Sequence, residues 1–168
     1  MDKTDLIILF DYYYWANARV LACAERLQPG QFTAARQTPH GSLRGALMHM
    51  LNVERSWRAV TLEGRSRPER IPEEEIPDAA ALIARWQPEE QTTRGLLKAL
   101  PEGSLDIPKQ VTDRSGKMHD WLLWQPLYQV LNHATQHRSE AAMLLTEYNQ
   151  SPGDLDFIFF LREQTPTE

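Results

Sequence analysis

The sequence predicts an all-α protein, a four-helix bundle, on three observations. Four long stretches carry apolar residues at helical steps, cap and breaker residues bound each stretch, and strand-like patterning is confined to one short segment near residues 101–124. Four amphipathic stripes must bury against one another, and a bundle does so.

The first helix runs from about Thr4 to Leu27, with Leu6, Phe10, Tyr13, Asn17, Val20, Ala24 and Leu27 on its stripe and Pro29-Gly30 ending it. Asn17 is the polar interruption of that stripe. The second starts after the cap residue Ser42, carries Ala46, His49, Val53, Trp57 and Val60 on one face, and reaches Glu63 with Gly64 as its stop. Residues 65–77 hold Pro68, Pro72 and Pro77 among charged side chains, so a long exposed connection without regular structure is expected. Asp78 caps a third helix that passes through Leu82, Trp86 and Leu97 towards Leu100, and Pro88 is expected to kink or split it. Between Pro101 and Trp124, Ile107, Val111 and the turn Asp113-Arg114-Ser115-Gly116 suggest a loop or a short hairpin. The fourth helix opens with Pro126 in its first turn, where a missing N–H costs little. It runs to about Tyr148 along Leu127, Val130, Ala134, Ala141 and Leu144. A short terminal helix covers Asp154 to Leu161.

At 168 residues and 42% hydrophobic content, a single domain spanning 1–168 can bury a full core. The formal charge of -5, with Lys and Arg dispersed along the chain, argues against a nucleic-acid or anionic-membrane surface. Cys23 is the single cysteine, which excludes an intrachain disulfide and fits a reducing interior. It adjoins Val20 and Ala24 and reads as a small buried apolar residue. The opening residues carry neither a signal-peptide pattern nor a membrane span, so a cytoplasmic protein is expected.

The functional signal lies in the histidines. His133 and His137 are four residues apart, which on a helix projects both imidazoles from one face a turn apart, where both can grip one metal ion. Among five histidines an accidental pair at this spacing has odds on the order of one in ten, so the spacing alone is weak. Position adds to it, because the pair lies on or beside the apolar stripe of the fourth helix, and His49 falls on the stripe of the second. Two readings stand at this point: three nitrogen ligands of one metal, or core histidines hydrogen-bonded to their neighbours. His40 and His119 fall in expected loops and read as solvated. Asn17 either holds a ligand histidine or satisfies a backbone group. Glu54 is read as an ion-pair partner of Arg138, with a general base as the alternative. Trp15, Trp57, Trp121 and Trp124 are read as core, with a pocket lining as the alternative.

Four segments carry a resemblance. They are Tyr14-Trp15-Ala16-Asn17, the stretch from Ser42-Leu43 through Leu47-Met48-His49-Met50 to Trp57, the run Asn132-His133-Ala134-Thr135-Gln136-His137-Arg138, and Gly153-Asp154-Leu155-Asp156-Phe157. Together they resemble the DinB/YfiT-like family of metal-dependent enzymes over nearly the whole chain. The resemblance implies an up-down-down-up bundle with a long crossover, and homodimers. It also implies a divalent metal, zinc or nickel, held by His49, His133 and His137, with Asn17, Glu54 and Arg138 around them. Relatives include transferases and isomerases that use low-mass thiols such as bacillithiol or mycothiol. The family usually continues Arg-Gly-Gln after the histidine pair, whereas this chain reads Arg138-Ser139-Glu140, and a larger residue at Ser139 is expected to alter packing beside the site.

Three neutral nitrogens leave a coordination position open, unlike a structural zinc with four protein ligands. The expectation is a metal-dependent enzyme acting on a small-molecule substrate, of the thiol-dependent transferase type. The alternatives are a metal-dependent hydrolase or a stress-related bundle that binds metal and catalyses nothing.

Overall fold

A computed structural model describes residues 1–113 and 115–165. The chain is mostly helical, with α1 (Lys3–Ala24), α2 (Leu43–Thr61), α3 (Ala79–Ala99), α4 (Trp124–Glu147) and the short α5 (Phe157–Gln164). Two strands, β1 (Pro108–Thr112) and β2 (Met118–Leu122), form an antiparallel hairpin in which Gln110 faces Asp120. Of the expected turn, Arg114 lies outside the described residues. Asp113 Oδ1 organises the remainder by accepting from the N–H groups of Ser115 (2.8 Å) and Lys117 (3.0 Å). The last three residues of the expected 1–168 domain also lie outside them.

The helices begin where capping chemistry places them. Asp2 accepts from Asp5 N at 2.9 Å and Asp5 returns a carboxylate to Asp2 N at 3.0 Å, a reciprocal cap on α1. Ser42 Oγ accepts from Gly45 N at 2.9 Å to start α2, and Asp78 accepts from Ala81 N at 2.8 Å to start α3. Each such cap stabilises by about 1 kcal/mol.

Each of the four long helices packs on two others: α2 on α4 and α3, and α1 on α4 and α3. The core between them is built from Leu6, Phe10 and Tyr13 of α1, Leu47, Met50 and Leu51 of α2, Leu82 and Leu97 of α3, and Leu127 and Leu145 of α4. Burying each such aliphatic or aromatic side chain is worth about 1.5–3 kcal/mol. The hairpin leans on α2 through β1 and on α4 through β2, and α5 closes over α1. There Tyr12 donates to Leu155 O at 2.9 Å, and Phe157 meets the Tyr12 ring edge-on at 5.3 Å.

Three expectations need correction. Residues 65–77 are not wholly exposed or irregular: Ile71 and Ile76 are buried on either side of a 3-10 turn at Glu73–Glu75, and Ile71 N donates to Asn52 Oδ1 at 3.0 Å. Two apolar side chains among charges are enough to pin the connection to the core. Pro88 does not split α3, because contacts on both sides of it hold the helix in register. Trp86 Nε1 donates to Glu54 on one side, and Glu89 and Thr93 bond to α2 on the other. The terminal helix begins at Phe157 and ends at Gln164, later than expected at both ends.

Glu89 and Arg58 make a buried ionic contact. Each is 8% exposed, and Arg58 Nη2 donates to Glu89 Oε2 at 2.5 Å, while Arg55 and Arg85 each reach Glu89 Oε1 at 3.0 Å. Burial works to raise the Glu89 carboxyl, but the hydrogen bonds and charge of Arg58, with Arg55 and Arg85, hold it below the ordinary value of 4.5.

Removing one partner strands a buried charge, so Glu89→Ala should destabilise the chain by about 3–5 kcal/mol in urea denaturation. A loss within experimental error would show that the cluster is solvated. The Glu89 contribution is fully present above its unfolded pKa and is lost as pH falls through the lower folded value. Stability of the wild type should therefore drop more steeply below about pH 4.5 than that of Glu89→Gln, which has no proton to take up there.

Candidate metal centre

The pairing of α2 with α4 brings three imidazoles to one point. His49 faces α4 from the middle of α2, and His133 and His137 rise from α4 one turn apart. His133 Nε2 lies 3.1 Å from His49 Nε2 and 3.2 Å from His137 Nε2. Nitrogens bound to one cation at about 2.0–2.1 Å are about 2.9 Å apart at a right angle and about 3.3 Å apart at a tetrahedral angle. The observed spacings fall between these, and neutral imidazole suits zinc, nickel, iron or copper. Both spacings are thus of the size that shared ligation of one divalent cation requires.

Electrostatics favour the unprotonated donors a metal needs. Burial, followed by the neighbouring charges of His40, His133 and His137, pushes His49 down to about 3. His49 is therefore neutral throughout the physiological range and its lone pair is free of proton competition.

His40, read from the sequence as a solvated loop residue, belongs to this cluster. Its ring stacks on His49 with centroids 4.1 Å apart at 22°, and it meets His137 edge-on at 4.7 Å. One ligand atom from each of His40, His49 and His137 lies within 4.8 Å of the others. The loop before α2 turns at Gly41, at φ +70°, whose carbonyl accepts from Arg36 N at 2.7 Å. The loop then runs against the helix where Gly45 has no side chain: a Cβ there would lie 2.1 Å from the His40 carbonyl oxygen. Since Gly45 is one turn ahead of His49 on α2, its empty position is what lets His40 settle over the His49 ring. His119, by contrast, is not a loop residue, for it lies on β2, stacks on Trp121 at 4.5 Å and bonds Asp113 Oδ2 at 2.8 Å.

Glu140, which sequence reasoning passed over, supports His137. Its Oε2 lies 3.3 Å from His137 Nδ1, so it can accept that proton and leave Nε2 as the metal-facing atom. A carboxylate three residues after a histidine on the same helix face was the available signal. Ser139 does not disturb the packing as expected. It is exposed and donates to Thr135 O at 2.9 Å.

The anticipated ion pair between Glu54 and Arg138 does not form. Glu54 is 1% exposed and accepts from four uncharged donors: Tyr13 Oη (2.9 Å), Tyr14 Oη (2.5 Å), Trp86 Nε1 (2.9 Å) and Thr93 Oγ1 (2.9 Å). Burial, then the Glu54 charge, raises both tyrosine hydroxyls well above their ordinary value, so they stay protonated and donate. Arg138 instead donates to Asn17 Oδ1 (3.2 Å), Thr135 Oγ1 (3.2 Å) and Tyr12 Oη (3.3 Å). Asn17 thus holds the arginine, a role neither sequence reading anticipated.

A cavity of about 290 Å³ opens onto the imidazoles, with His49 and His133 in its wall beside Trp57, Arg67, Asp113 and Trp121. Trp57 and Trp121 face each other at 6.0 Å, and the Arg67 guanidinium lies 4.8 Å over Trp57 while donating to Ser56 Oγ at 2.6 Å. These two tryptophans line the cavity instead of filling the core, while Trp15 reaches outward to Glu163 Oε2 at 2.8 Å.

The sequence model of the DinB family matches residues 1–168. No curated protein matches the chain.

At an unobstructed helix position, Gly→Ala stabilises by about 0.4–1 kcal/mol. Gly45→Ala should do the reverse, because the new methyl meets the His40 carbonyl, and a lower melting temperature would register it. A variant as stable as the wild type would mean that the His40 loop is not seated on α2.

Proposed function

This chain belongs to the DinB family, and from that premise we propose that it is a metal-dependent enzyme in which His49, His133 and His137 hold one divalent cation, zinc or nickel. The observation that carries the reading is the approach of His133 Nε2 to those of His49 and His137, at 3.1 and 3.2 Å, with His49 and His133 in the wall of a cavity. A bundle that binds metal and catalyses nothing needs no such opening. Bound there, a cation lowers the pKa of a water or a low-mass thiol at its open position. Glu140 fixes the tautomer of His137, Arg67 gives the cavity a cationic side, and Trp57 and Trp121 provide flat apolar walls for a small organic substrate.

The transferase form of the reading takes its sulfur from a small thiol, because Cys23 is a poor internal nucleophile. It is buried, and its thiol donates to Ser151 O at 3.6 Å. Metal-dependent hydrolysis is the second reading, since the same opening admits water. The contacts among the four long helices support a single up-down-down-up bundle over 1–168, with residues 62–78 as its long crossover. No described helix is long and apolar enough to cross a membrane, and a cytoplasmic location is part of the proposal. So is a homodimer, supported by the exposed Met143, Ile158 and Leu161.

Cobalt-loaded protein incubated with a panel of low-mass thiols and a generic electrophile should form conjugate, with the cobalt spectrum perturbed by the active thiol. Cys23→Ala should keep this activity and His137→Ala should abolish it. If no thiol shifts the spectrum or accelerates conjugation, the transferase reading falls and hydrolysis takes its place.

A further inference from the structure

We propose that His40 is a fourth imidazole ligand of the same cation, an inference that rests on the reading of His49, His133 and His137 as its ligands. Three independent features of this chain place it there. Its ring overlies His49 and meets His137 edge-on, so it stands against two of the three proposed ligands. One ligand atom from each of His40, His49 and His137 lies within 4.8 Å of the others, a grouping able to hold one metal ion. Its backbone is held in place by construction: Arg36 N fixes the Gly41 carbonyl, Ser42 caps α2 immediately after it, and Gly45 leaves the gap into which its carbonyl fits.

A solvated histidine needs none of this. A loop that merely covers the helix start could carry any side chain at this position, yet here an imidazole packs face to face on another imidazole. A shared cation would give both rings, as neutral donors, a common partner. The carboxylate of Glu140, whose charge acts on His40 as well as supporting His137, offsets part of the cation's charge.

The fourth ligand bears on the metal. Four imidazole ligands would fill a four-coordinate ion, so a substrate could reach the cation only if it accepted five or six ligands, which favours nickel over zinc. The cavity beside His49 and His133 marks the side on which the added ligand enters.

The test is cobalt titration of the full, metal-free chain, with X-ray absorption to count coordinated imidazoles. The wild type should show four, and His40→Ala should show three with a changed visible spectrum. Because an outer partner of a metal ligand is worth about 10–100-fold in affinity, loss of a direct ligand should weaken cobalt binding by at least about tenfold. Three imidazoles in the wild type, with His40→Ala matching it in spectrum and affinity, would overturn the proposal and leave the three-histidine site standing. A wild type that binds no cobalt, or a His133→Ala variant that binds it unchanged, would remove that site and this proposal together.

Discussion

The burial of Glu54 constrains the rest of the molecule. A carboxylate at 1% exposure with no ion pair among the described residues is stable only if its oxygens are saturated by donors, and four donors do this from α1 and α3. Losing them would leave a buried charge unpaired, so α2 can neither rotate nor slide relative to those two helices. At about 100° per residue, the five positions from His49 to Glu54 turn the helix by about 140°. Fixing Glu54 towards α1 and α3 therefore fixes His49 towards α4. The positive counterpart, Arg138, is buried on α4 and reaches Asn17 and Tyr12 of α1. Those bonds tie α4 to the same frame without direct contact of the two charges.

That frame explains how an electrostatically awkward cluster persists. Four imidazoles share one location, and burial with mutual repulsion holds His49 down to about 3, an effect to which Arg70 adds. Such crowding has no structural benefit that apolar side chains would not supply better. The sequence surroundings are also those of a site: Glu140 behind His137, an open cavity beside His49 and His133, and a hairpin whose Trp121 forms part of the wall.

Much of this was legible in the sequence because it is local. The caps at Ser42 and Asp78, the stripe of α1 and the four-residue spacing of His133 and His137 depend on residues within a few positions of one another. His49 could be placed with them because its stripe must face another helix. His40 could not, since its approach depends on a missing Cβ at Gly45 and on a loop closed by Arg36, neither of which leaves a periodic trace. Glu54 was misassigned for a related reason. Opposite charges suggested Arg138, but the tyrosines, Trp86 and Thr93 that saturate Glu54 come from two other helices, and only the packing reveals them. Pro88 misled because local propensity was set against a row of tertiary contacts and lost.

The central claim is that the imidazole cluster exists to hold a cation, and elemental analysis of protein purified without an affinity tag tests it most directly. About one divalent transition metal per chain, removed by chelator and restored by dialysis, is the expected result. Metal-free protein that remains empty when offered zinc, nickel and iron at neutral pH would contradict it and leave a bundle with four packed core histidines.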